Sequence, residues 1–103
     1  PVLGEWFGQQ SANPTVRDEF SAKLMACAVQ PSTAYKNQLK GLVDESEKLV
    51  HHYQEIERGY YANMNALDKQ QRLERLTLRR NLVMRQAWIE WAKEVVNELD
   101  ALD

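Results

Sequence analysis

Cysteine occurs once in these 103 residues, at Cys27. One cysteine excludes an intrachain disulfide and a zinc site built from the thiolates of a single chain, and it fits a reducing compartment. Glycine (4) and proline (3) are scarce, and all but Gly59 precede residue 42. A turn-rich β architecture therefore lacks the residues that would make its corners. The longest unbroken apolar run, Leu24–Val29, is far shorter than the ~20 residues that cross a bilayer. No basic flank followed by an apolar stretch marks the N-terminus as a secretory signal. The formal charge of -2 is too small for bulk attraction to nucleic acid or membrane. Together these absences predict a cytoplasmic protein.

With 44% apolar and 27% charged residues, the composition is that of one globular domain with a modest core. From Leu67 to Leu102 there is no Gly or Pro, and Leu, Arg, Gln, Ala and Glu dominate. These are strong helix formers. Residues 1–12 have no helical period and carry Trp6 and Phe7. They read as an N-terminal arm ahead of a single helical domain over 13–103.

Three helices are predicted, at about 14–29, 33–59 and 65–101. Asn13-Pro14 suits a helix start, because Asn caps free amides and Pro gives up an N–H that has no partner there. Val16, Phe20, Leu24 and Cys27 form its apolar stripe, with Lys23 beside it, and Pro31 ends it. Ser32 or Thr33 caps the second helix. Tyr35, Leu39, Leu42, Ser46, Leu49, Tyr53, Ile56 and Tyr60 then alternate steps of four and three, the heptad seam of a coiled coil. Val43 and Val50 widen it. Gly59 is placed to end this helix in a left-handed conformation, and Asn65 with Asp68 resembles a capping box for the third. The competing arrangement is one continuous helix of ~100 Å. The fold class is therefore all-α: an elongated antiparallel helical hairpin with a shorter N-terminal helix, a three-helix bundle, with a coiled-coil dimer as its extended form.

On the third helix Leu78, Leu82, Ile89, Ala92, Val96 and Leu99 lie on one line, flanked by Met84, Trp88, Trp91, Val95 and Leu102. That arc exceeds the ~100° stripe one partner helix covers. Leu73, Leu76 and Val83 extend the surplus, so this helix is expected to meet neighbours on more than one side: the first helix, the N-terminal arm or a second molecule. Six basic residues from Lys69 to Arg85 face only Glu74, whereas Glu90, Glu94, Glu98, Asp100 and Asp103 face only Lys93. Such a helix complements an antiparallel copy of itself, which favours a homodimer. The competing arrangement for the arginines is pairing with Asp44, Glu45, Glu47, Glu55 and Glu57 of the second helix.

Catalytic sites are not legible. No glycine-rich phosphate loop or serine–histidine–acid set occurs. Glu47, His51 and Glu55 share one exposed face but lack an enclosing shell, so no metal is predicted there, and His52 lies beside them. Cys27 and the tyrosines Tyr35, Tyr53, Tyr60 and Tyr61 read mainly as core. No cofactor is predicted. The leading functional expectation is a non-enzymatic protein–protein interaction module: an adaptor, assembly factor, chaperone-like subunit or inhibitor. It would bind through Met84, Trp88, Trp91 and Val95, steered by Arg72, Arg75 and Arg79. The alternative is a small dimeric nucleic-acid-binding regulator using Arg72, Arg75, Arg79, Arg80 and Arg85.

Overall fold

The computed structural model describes residues 18–103, and they fold into three helices without a strand. Helix α1 spans Glu19–Ala26, α2 spans Thr33–Tyr60 and α3 spans Lys69–Leu102. The arm 1–12 and the expected helix start at Asn13-Pro14 lie outside the described residues, as does Val16. Helix α1 starts with the Asp18 carboxylate accepting the backbone N–H groups of Phe20 (3.1 Å) and Ser21 (3.2 Å). It ends at Ala26, three residues before the expected Val29. There the chain tightens, with the N–H groups of Ala28 and Val29 donating to the carbonyls of Met25 and Ala26. These three-residue spacings are the 3₁₀ pattern in which helices commonly finish.

Helices α2 and α3 form an antiparallel hairpin. Cross-helix contacts fix the direction: Lys36 meets Asp100, Glu47 meets Lys93 and Glu57 meets Arg79. The number rises on one helix as it falls on the other. The long axis of the molecule is 52 Å, the length of the 34-residue α3 at about 1.5 Å per residue. One continuous helix would be twice that.

The reversal corrects one expectation. Gly59 does not take a left-handed conformation, and no glycine among the described residues has positive φ. Helix α2 runs through Gly59 to Tyr60. The chain instead turns through a short 3₁₀ segment, Met64–Ala66, between extended backbone at Asn63 and Leu67. Arg72 closes this turn by donating to the carbonyl oxygens of Met64 (2.9 Å) and Leu67 (3.3 Å). Helix α3 begins at Lys69 under a capping box of Asp68 and Gln71. The Asp68 carboxylate accepts the Gln71 N–H (2.8 Å), and the Gln71 side chain accepts the Asp68 N–H (2.9 Å). Asn65, the expected partner of Asp68, lies in the preceding 3₁₀ turn.

The core is a single seam. Helix α2 buries Tyr35, Leu39, Val43, Ser46 and Val50, and α3 buries Leu82, Ile89, Ala92, Val95 and Leu99. Its centre on α2 runs through Val43 and Val50. Leu42 is half-buried at its edge, and Leu49 and Tyr60 are exposed. Helix α1 lies across one end of the hairpin, with Phe20, Leu24 and Cys27 packed against the core. The Tyr35 hydroxyl donates to the Phe20 carbonyl (2.7 Å), and Lys23 donates to Gln38 (3.3 Å). No helix of the described residues is long and apolar enough to cross a membrane.

At the same end the C-terminus of α3 is held by α2. Lys36 reaches Asp103 (2.8 Å) and Asp100 (3.0 Å), and the Ser32 hydroxyl donates to Asp103. Ser32 occupies the N-cap position of α2, but its side chain bonds Asp103 instead of capping the helix. Acidic residues at a helix C-terminus oppose the helix dipole; here the Lys36 ammonium answers them. The hydrogen bonds from Lys36 and then Ser32 hold the Asp103 carboxyl below its usual range, and the bond to Asp103 chiefly raises Lys36. A carboxyl depressed in the folded state adds stability above its unfolded pKa of about 3.9, lost as pH falls through the folded value. For Lys36 the contribution is complete below about pH 10 and is lost as pH rises through its raised value. Lys36→Met should therefore flatten the acid limb. Urea midpoints measured between about pH 2 and pH 5 will fall less steeply for the variant than for the parent.

Candidate functional site

Two regions of α3 were singled out by the sequence, and the structure treats them differently. The aromatic pair lies under α1. Trp88 meets Phe20 edge-on, with ring centroids 5.7 Å apart, and both Trp88 and Trp91 are half-buried against the core. Val95 is buried in the α2–α3 seam, so in this arrangement it does not face a partner. Met84, by contrast, is 54% exposed. Of the four apolar residues proposed as partner anchors, only Met84 stands free, because α1 and α2 already cover the other three wholly or in part.

Exposed apolar surface lies at both ends: Met25, Val29 and Leu102 where α1 crosses the hairpin, and a stripe on α3 toward the hairpin tip. Leu73, Leu76, Val83 and Met84 of α3 are each more than half exposed. Leu76 and Val83 are one heptad apart, and Leu73 is one turn before Leu76. The described residues leave this face open because α1 reaches only the other end of the hairpin.

The basic cluster is divided. Arg72 is committed to the turn carbonyls, and Arg79 pairs with Glu57 at 3.2 Å. Arg75, Arg80 and Arg85 have no carboxylate within ion-pair distance among the described residues. Arg75 and Arg85 are half-buried along the seam, while Arg80 is exposed. Of the acidic residues expected to pair with the arginines, Glu57 does so, and Glu47 pairs instead with Lys93 at 2.7 Å.

Glu47 therefore reaches the neighbouring helix, where an open aqueous face was expected. His51 Nε2 lies 3.0 Å from Glu55 on α2. Cys27 is half-buried, and its thiol donates to the Lys23 carbonyl. Tyr35 is core, and burial pushes its phenol up. Tyr53 is half-buried and Tyr60 is exposed. Tyr61 donates to Glu74 at 3.2 Å across the turn, a contact the sequence reading missed.

The chain belongs to the family described as Virulence activator alpha C-term, whose sequence model matches residues 16–100. It is similar to the solved structure of the Vibrio cholerae virulence activator AphA. The TM-score is 0.95 and the identity 70%, over 99% of this chain and 60% of that one. The chain thus spans about three-fifths of the length of that relative. No curated protein matches it.

This finding corrects the leading functional expectation. The matched family and the solved relative are virulence activators, not adaptors, assembly factors, chaperone-like subunits or inhibitors. The physical reason agrees: the tryptophan surface thought to receive a foreign partner is largely occupied by the chain's own first helix.

Proposed function

We propose that this chain is the self-associating helical part of a dimeric, DNA-binding activator of transcription, non-enzymatic and cytoplasmic. The observation that carries the reading is the 70% identity to a virulence activator over nearly the whole chain. One feature of the fold supports it. The stripe Leu73, Leu76, Val83 and Met84 is apolar surface that a second copy would remove from water, at roughly 25 cal/mol per Å². Any contact of this chain with DNA phosphates falls to Arg75, Arg80 and Arg85, since Arg72 and Arg79 are engaged within the fold.

Light scattering combined with a DNA titration tests this. The expected mass is twice that of the 12.0 kDa chain, and Leu76→Glu/Val83→Glu should return it to that of one chain. Duplex binding should weaken with salt on a log–log slope of about -5, from six arginines in the dimer at about -0.9 each. A single-chain mass at high concentration, with no salt-dependent duplex binding, would overturn the proposal.

A further inference from the structure

A second feature, away from the stripe and the arginines, lies where α1 crosses the C-terminal turns of α3. A cleft of about 440 Å³ opens there, walled by Leu24 and Met25 on one side and Trp91, Leu99 and Leu102 on the other. Its volume lies within the range of about 300–1,000 Å³ that holds small organic ligands. Most of the lining is apolar, which calls for a ligand with an apolar body.

Two independent observations assign the sign of the ligand's charge. Among the described residues the only charged side chains lining the cleft are Glu94 and Glu98, and neither takes part in an ion pair with another of them. They are one turn apart on α3, so both carboxylates reach the same rim. Trp91 also contributes an indole, the ring that attracts a cation most strongly. An anion meets repulsion from both sources, and a neutral apolar molecule forgoes their attraction.

We propose that this cleft binds a small organic cation: an ammonium group carried on an aromatic or branched apolar body. The body fills the space between α1 and α3, and the ammonium sits at the rim between Trp91 and the Glu94 and Glu98 carboxylates. The site is separate from the α3 stripe through which the two copies are proposed to meet, so it remains open in the dimer.

The test uses the isotope-labelled chain titrated with phenethylammonium and, separately, with phenethyl alcohol, which keeps the ring and loses the charge. Amide shifts at Leu24, Met25, Trp91 and Leu99 are followed by NMR, with the mass measured alongside by light scattering. The cation should saturate these shifts and bind about tenfold more tightly than the alcohol, a factor within reach of a cation–π contact plus two exposed charge contacts. Glu94→Gln/Glu98→Gln should remove most of that preference while leaving alcohol binding and the far-ultraviolet spectrum unchanged. Ala28→Trp, at an exposed position in the lining, should fill the cleft and abolish binding of both. Equal affinity for the two ligands, or shifts that do not saturate, overturns the proposal. So does a fall in mass on adding either ligand, because the cleft would then be filled by a second copy. A chain that is monomeric throughout but still prefers the cation refutes the dimer and leaves the cleft standing.

Discussion

Replacing Leu39 by alanine is expected to lower the unfolding free energy by about 3 kcal/mol, within the range measured for buried leucine truncations. Leu39 is the one large side chain among the described residues that is wholly enclosed, at 0% exposure, and it belongs to the α2–α3 seam. Its removal forfeits transfer energy and leaves a void that two long, straight helices cannot easily collapse around. In urea the midpoint should fall with the slope unchanged, which separates lost stability from a change in the denatured chain. Leu49→Ala provides the contrast. Leu49 is 37% exposed in the single chain, so its truncation should cost less than about 1 kcal/mol. A loss at Leu49 equal to that at Leu39 would mean that a second molecule covers Leu49, or that the seam is centred one residue away.

Enlarging the seam should be nearly as damaging. Ala92 is also 0% exposed, in a row where Ile89, Val95 and Leu99 supply the bulk. A methyl group at that place lets α2 and α3 approach closely, so Ala92→Leu must push the helices apart or force side chains off their rotamers. Overpacking of this kind costs about 1–3 kcal/mol. For a domain of this size the melting temperature should drop by about 10 °C, given roughly 4–8 °C per kcal/mol. The helical content of the folded state should not change. A melting temperature equal to the parent's would show that the helices are farther apart at Ala92 than the structure has them.

The hairpin itself was legible because the alternating four–three spacing from Tyr35 to Tyr60 has a physical meaning: only a helix facing another helix keeps that period. What the spacing cannot fix is the central line. Leu42 and Val43 are adjacent and apolar, as are Leu49 and Val50, so the pattern permits either pair to lead. Packing against the far helix chose Val43 and Val50. The reversal was misread at Gly59 for a related reason. Glycine permits a left-handed residue but does not require one, and here extended backbone at Asn63 and Leu67, with Arg72 on the turn carbonyls, makes the bend instead. The tryptophans illustrate a further limit. Their three-residue spacing put them on one side of α3, yet nothing in it said that Phe20 would lie against them. The arginines were legible as a cluster but not as individuals, since the committed pair Arg72 and Arg79 differs from Arg75, Arg80 and Arg85 only in what the turn and α2 bring near.

Helix α1 has eight residues and no fully buried side chain, whereas the hairpin it lies on carries the whole seam. The two should not melt together. On gentle heating α1 is expected to peel away first, as a local opening with its own small free energy. That opening would bare Trp88 and Trp91 to water while nearly all the helical backbone of the hairpin persists. Indole emission would then redden several degrees below the loss of the far-ultraviolet signal, and hydrogen exchange at Glu19–Ala26 would run ahead of exchange at Leu39 and Ala92. Coincident transitions would show that the short helix is bound into the cooperative unit.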